Sequence, residues 1–191
     1  MHVIHKRLVF IAHPRTASRS IRDTLKRIGA KEAAGHHPIA PKILENEKAL
    51  GASVGCVIRN PFDLLVSWYY QAEISRIRGV RCASPKRPQD PPSPVVPRTF
   101  NSWLKDSLEK KVWKNGLFFG LEFCDHVMRF ENLQEDFNLW MKKCGMRDRK
   151  LGHVGNSERS ERYIRHYDEV SRLLVENHFS AELEVGGYHL N

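Results

Sequence analysis

Hydrophobic positions in this chain follow two rhythms. Residues 7–12 (Arg-Leu-Val-Phe-Ile-Ala) and 54–58 (Val-Gly-Cys-Val-Ile) are short apolar runs, the pattern of strands buried on both faces. The first run predicts a strand followed by a helix to about Ile28, which Gly29 ends. The second leads through a turn into an amphipathic helix over 61–78, and a short segment near 31–35 and a helix over 40–50 come between. Downstream, Phe100, Trp103, Leu104, Leu108 and Val112 recur at helical spacing, and 125–130 reads as the last core strand. Leu133, Phe137, Trp140, Met141 and Cys144 form one helical face, with Asn132 and Glu135 as its capping pair. Val170, Leu173 and Leu174 mark a final helix over 168–179, and no internal repeat is present. Strands alternating with helices predict an α/β fold with a central parallel β-sheet flanked by helices. The length, 191 residues, suits a single domain over 1–191 whose tryptophans belong to the core.

Residues 79–98 break the rhythm, with six of the ten prolines and little apolar periodicity. Such a segment is an extended loop. Two roles fit it: a cover over a binding site, or a surface excursion.

Composition narrows the partner. A formal charge of +9 suits a polyanion such as a nucleotide, nucleic acid, sulfated glycan or acidic membrane surface. The basic residues are dispersed, with no basic block or aromatic-interleaved stripe, which disfavours nucleic acid. Cys56, Cys82, Cys124 and Cys144 are far apart and form no Cys-x-x-Cys pair, so free thiols are expected rather than disulfides or a metal site. The early apolar run from Leu8 to Ala12 is too short to span a membrane. A soluble cytoplasmic protein is the expectation.

Two turns carry the chemistry. In the first, a strand runs into His13-Pro14-Arg15-Thr16-Ala17-Ser18-Arg19-Ser20 before a helix. Backbone amides and hydroxyls at a helix N-terminus suit a phosphate, and the cations Arg15 and Arg19 are unfavourable there unless an anion compensates. No Gly-x-x-x-x-Gly-Lys-Ser/Thr is present, which argues against an ordinary ATPase or kinase. In the second turn, Arg59 ends a strand, Asn60 can cap the next helix, Pro61 suits its first position and Asp63 its positive end. Ser67 lies two turns into that helix, within reach of the same anion as Arg59.

Arg59-Asn60-Pro61-x-Asp63-x-x-x-Ser67 resembles the 3′-phosphate-binding segment of sulfotransferases that use 3′-phosphoadenosine 5′-phosphosulfate (PAPS). The first turn is similar to the 5′-phosphosulfate loop of that family, often Pro-Lys-Thr-Ala-Gly-Thr-Ser. Pro14, Thr16, Ala17 and Ser20 match, while Arg15 replaces the lysine and Ser18-Arg19 replace Gly-Thr. The two loops stand in the family's order. Met128-Arg129-Phe130-Glu131-Asn132-Leu133, Asn156-Ser157-Glu158-Arg159 with Tyr163 and Tyr167, and Glu182 to Tyr188 extend the resemblance towards the C-terminus.

The resemblance implies a P-loop-like domain that transfers a sulfuryl group from PAPS to an acceptor hydroxyl or amine. The product is 3′-phosphoadenosine 5′-phosphate (PAP), and no metal is required. Arg15 would stabilise the bridging and terminal oxygens. Residues Thr16, Ala17, Ser18, Arg19 and Ser20 would cradle the 5′-phosphate, and Arg59 and Ser67 would hold the 3′-phosphate. One of His36 and His37 is the candidate base, since related enzymes often place a His or Glu after the second segment, with Glu32 in reserve. The acceptor is open: a glycan, a small molecule, a lipid or a peptide tyrosine. Arginine is a poor proton donor and Ser18 crowds the loop, so the alternative is a catalytically weak nucleotide- or nucleic-acid-binding module on the same scaffold.

Overall fold

The computed structural model describes residues 2–5, 7–33, 45–48, 50–77, 98–114, 116–152 and 162–190. Its strands are β1 (His2–His5), β2 (Leu8–Ile11), β3 (Lys31–Ala33), β4 (Ser53–Ile58) and β5 (His126–Arg129), in one sheet ordered β3-β1-β2-β4-β5. β2, β4 and β5 are mutually parallel, with Leu8 opposite Ser53 and Ile58 opposite Arg129. The helices are α1 (Ser18–Lys26), α2 (Pro61–Ile77), α3 (Phe100–Glu109), α4 (Leu133–Lys143), α5 (Glu169–His178) and α6 (Ser180–Gly186).

The predicted α/β class and a three-stranded parallel centre are present. The other edge differs from expectation, because β1 pairs antiparallel with both β2 and β3. In its pairing with β2, His5 stands opposite Leu8. That connection is Lys-Arg, without the Asn-Gly or Asp-Gly signature of a tight hairpin, so nothing in the sequence announced it.

Why the inner strands read as unbroken apolar runs follows from what covers them. Leu8, Phe10 and Ala12 pack with α1 and α4 through Ile21, Leu25, Phe137 and Trp140. Val9, Ile11, Val54 and Cys56 lie in a second cluster, under Phe119, Leu121 and Phe123. Gly55 has a packing reason: a Cβ there would stand 2.6 Å from Trp140 Cε2. The indole also donates from Nε1 to Ser53 Oγ at 3.0 Å, so one side chain both covers and pins β4.

Two local expectations are corrected. The first two turns of α2 are buried on all sides, from Phe62 to Ser67, so this stretch is a core helix rather than an amphipathic one. Asn132 makes no side-chain cap, because a 3₁₀ turn over Phe130–Asn132 feeds straight into α4. The helix expected over 168–179 forms as α5, and the short α6 follows it from Ser180. Asn60 does cap α2, accepting from the Phe62 amide at 3.0 Å. Cys56 and Cys144 are buried free thiols and Cys124 is a partly buried one. Cys82 and positions 79–97 of the proline-rich segment lie outside the described residues.

Candidate functional site

The turn after β2 has an unusual backbone. Arg15 and Ala17 both take positive φ, 64° and 54°, with Thr16 between them on the ordinary side. Left-handed conformations of residues other than glycine are costly and gather where the surroundings enforce them. Alternation of this kind turns successive amides towards one concave face, a geometry that suits an anion. Thr16 helps to hold it, donating from its buried hydroxyl to the His13 carbonyl at 2.9 Å. Ala17 is then the N-cap of α1 and supplies no side-chain bond, and no acidic residue sits in the first turn. The amide end of α1 therefore lacks the usual internal compensation of its dipole.

The second turn reaches back to the first. Arg59 is 5% exposed and donates from Nη1 to the Arg15 carbonyl at 2.9 Å. Its Nε donates to Asp63 Oδ2 at 2.7 Å, and its guanidinium lies 4.0 Å from the centre of the Phe130 ring. Arg59 thus holds the residue whose backbone is strained, with Asp63 balancing its charge.

Arg15 closes the link from the other side. Its Nε donates to Ser67 Oγ at 3.1 Å and its Nη1 to Gln71 Oε1 at 3.1 Å. Ser67 and Gln71 are one helical turn apart on α2, so both point at the same guanidinium. The structure therefore brings Arg15, Thr16, Ala17, Arg59 and Ser67 together, as the spacing and the family resemblance suggested. Ser20 is buried in the first turn of α1, Ser18 is partly exposed and Arg19 is exposed there.

Behind the second turn stands a polar lattice. The Asn60 amide donates to Glu131 Oε1 at 3.0 Å, and Tyr188 donates its hydroxyl to Glu131 Oε2 at 2.9 Å. Asn60 Nδ2 donates to the His189 carbonyl at 3.1 Å and to the Tyr163 hydroxyl at 3.4 Å. Tyr167 donates to the Phe62 carbonyl at 2.9 Å, and burial pushes its phenol pKa well above the ordinary range, with the nearby Asp63 charge adding to the shift. The resemblances noted near Glu131, Tyr163 and Tyr188 thus meet behind one helix start.

Other predicted residues are not brought to the site. Glu32 belongs to β3 on the far edge, opposite Val3 of β1. His36, His37 and Asn156 to Arg159 lie outside the described residues. Gln71 was missed, although its place four residues after Ser67 marks the same helix face. His13 was spelled out within the loop but given no role. It is fully buried, with Nδ1 2.9 Å from the Val57 carbonyl and Nε2 2.9 Å from that of Phe119. No group of three or more metal-ligating side chains is present among the described residues. Among them too, no helix is long and apolar enough to cross a membrane.

Comparison with known proteins leaves the assignment to this geometry: no family model, no curated protein and no solved structure matches the chain.

Proposed function

We propose that the chain is a P-loop-like, PAPS-dependent sulfotransferase whose anion site is built from the turns after β2 and β4. The observation that carries the reading is Arg15. It sits in a left-handed turn at the open end of α1, its carbonyl is held by Arg59 and its guanidinium meets Ser67. Two loops 44 residues apart in sequence therefore build one cationic corner.

In this reading the amides of residues 16–20, with the Ser18 and Ser20 hydroxyls, receive the 5′-phosphate, and Arg59 and Ser67 receive the 3′-phosphate. The acceptor oxygen or nitrogen attacks sulfur as the bond from sulfur to the 5′-phosphate oxygen breaks. The acceptor proton passes to a base, for which His36 and His37 remain the candidates. Arg15 stabilises the charge that grows on the leaving oxygen, the kind of interaction that lowers a barrier most when preorganised. In the free protein the same N–H groups rest on Ser67 and Gln71, so an incoming anion competes for them.

The test is equilibrium binding of PAP against AMP and ATP, followed by transfer of labelled sulfate from PAPS to glycan, phenol and alcohol acceptors. PAP should bind at least about tenfold more tightly than AMP, which is about 1.4 kcal/mol for the added 3′-phosphate. PAP binding no tighter than AMP removes the proposal. Tight PAP binding without transfer to any acceptor favours the second reading, a nucleotide-binding module, for which the replacement of lysine by Arg15 is the specific motive.

A further inference from the structure

His13 stands at the foot of the strained turn, between the end of β2 and the first left-handed residue. Both of its ring nitrogens face carbonyl oxygens at 2.9 Å, Val57 on β4 and Phe119 in the segment before β5. Phe118 and Phe119 pack on the ring, with centroids 5.5 and 4.9 Å away. A neutral imidazole has one N–H, so it can satisfy only one of those carbonyls and turns a lone pair towards the other. An imidazolium donates to both. Burial opposes that charge and holds the His13 pKa below its ordinary 6.5, while the two carbonyls favour it. The cavity is thus shaped for the charged ring yet lacks the charge balance to keep it.

The neighbouring elements supply no such balance. Arg15 in the loop and Arg59 after β4 carry the same sign, and Asp63 on α2 is engaged by Arg59. Cys56 on β4 is a buried thiol whose pKa is pushed far up by a hydrogen bond with Cys124 and by burial. α1 also carries Arg19, Arg22, Asp23 and Lys26, and the segment before β5 carries Glu122 and Asp125; none of these side chains hydrogen-bonds the ring.

Resting on the anion site proposed above, we infer that His13 takes up a proton when a phosphate or sulfate group fills the turn at residues 14–20. The bound anion supplies the missing negative charge, and the imidazolium then bridges the Val57 and Phe119 carbonyls. Occupancy of the loop is in this way tied to the segment that covers the sheet near Phe119. His13 is a positioning residue that acts through the backbone and its charge, without touching the ligand.

The sign of the effect follows from linkage. A group whose pKa is higher in the complex than in the free protein strengthens binding as pH falls between the two values. One such proton gives up to about a tenfold gain in affinity per pH unit inside that window. Above both pKa values the gain is absent.

The experiment is ring-nitrogen NMR of the 15N-labelled chain titrated between about pH 5 and 8, the range in which histidine switches. It is run free, with sodium sulfate against chloride of equal ionic strength, and with PAP. In the free protein at pH 6.5 His13 should show one protonated ring nitrogen, and sulfate or PAP should move its titration to higher pH. Calorimetry in two buffers of different protonation enthalpy should show proton uptake in the native chain that His13→Asn lacks. The difference between the two chains cancels the titration of the PAP phosphates themselves, whose second pKa is about 6. A His13 pKa unmoved by both sulfate and PAP overturns the inference, and this readout needs no variant to fold. If PAP binds and the pKa stays put, this inference fails and the proposed function stands. If sulfate moves the pKa but PAP binds no better than AMP, the proposed function fails and the inference stands.

Discussion

Arg59 and Asp63 offer the sharpest measurement. Both are buried, at 5% and 8% exposure, and joined by a 2.7 Å hydrogen bond one helical turn apart. Replacing Arg59 by methionine keeps an unbranched apolar side chain there but strands the Asp63 carboxylate. An uncompensated buried charge of this kind costs about 3–5 kcal/mol. Asp63→Leu strands the guanidinium instead, with a smaller loss because Arg59 still donates to the Arg15 carbonyl. Removing both charges in Arg59→Met/Asp63→Leu restores much of the stability, since a buried pair replaced by apolar groups is often close to neutral. Urea unfolding of the four proteins gives the coupling, which should be about 2 kcal/mol or more. The double variant carries the decisive second readout. It should fold and still bind PAP poorly, because it lacks both the proposed contact of Arg59 with the 3′-phosphate and the hold of Arg59 on the Arg15 carbonyl. Losses that simply add would refute the pairing, and native PAP affinity in the folded double variant would refute the role of Arg59 in the loop.

Three further outcomes are expected. Gly55→Ala places a methyl group against the Trp140 ring, where its ideal position is 2.6 Å from Cε2, and should cost about 1–3 kcal/mol in urea unfolding; Gly55→Ala/Trp140→Leu should regain part of it. Arg15→Lys should retain or raise turnover with PAPS, whereas Arg15→Ala should lose most of it with a smaller loss of PAP binding; an unchanged rate in the alanine variant would limit the loop to binding. Shortening the segment 79–98 should impair acceptor kinetics and spare PAP affinity, and the reverse pattern would assign the segment to the nucleotide.

The sequence announced the parts whose physics is local. β2 and β4 were legible because strands covered on both faces need apolar residues at every position, as Leu8 to Ile11 and Val54 to Ile58 show outside Gly55. The α2 start was legible because Asn60 and Pro61 meet the local demands of a helix N-terminus. The β1 hairpin was not, since its strand is four residues long and its turn carries no glycine or asparagine. Within the site, spacing placed Arg59 and Ser67 within reach of one anion, and the family resemblance implied that Arg15 joins them. It gave no hint that Arg59 would reach a backbone carbonyl 44 residues back, nor that His13 would bridge two carbonyls. Those contacts depend on the parallel register of β2 against β4, which composition does not encode.

The lattice behind Asn60 has a consequence for the order in which a ribosome could deliver a competent site. Both loops and their strands are translated well before Glu131, Tyr163 and Tyr167, and Tyr188 and His189 come later still. Until then the Asn60 side-chain amide lacks its carbonyl partner, and Glu131 holds that helix start without the tyrosine that steadies it. A nascent chain can thus pair β2 with β4 long before the start of α2 is fully braced. The bracing becomes a property of a chain translated through His189, and a product ended before that residue lacks it.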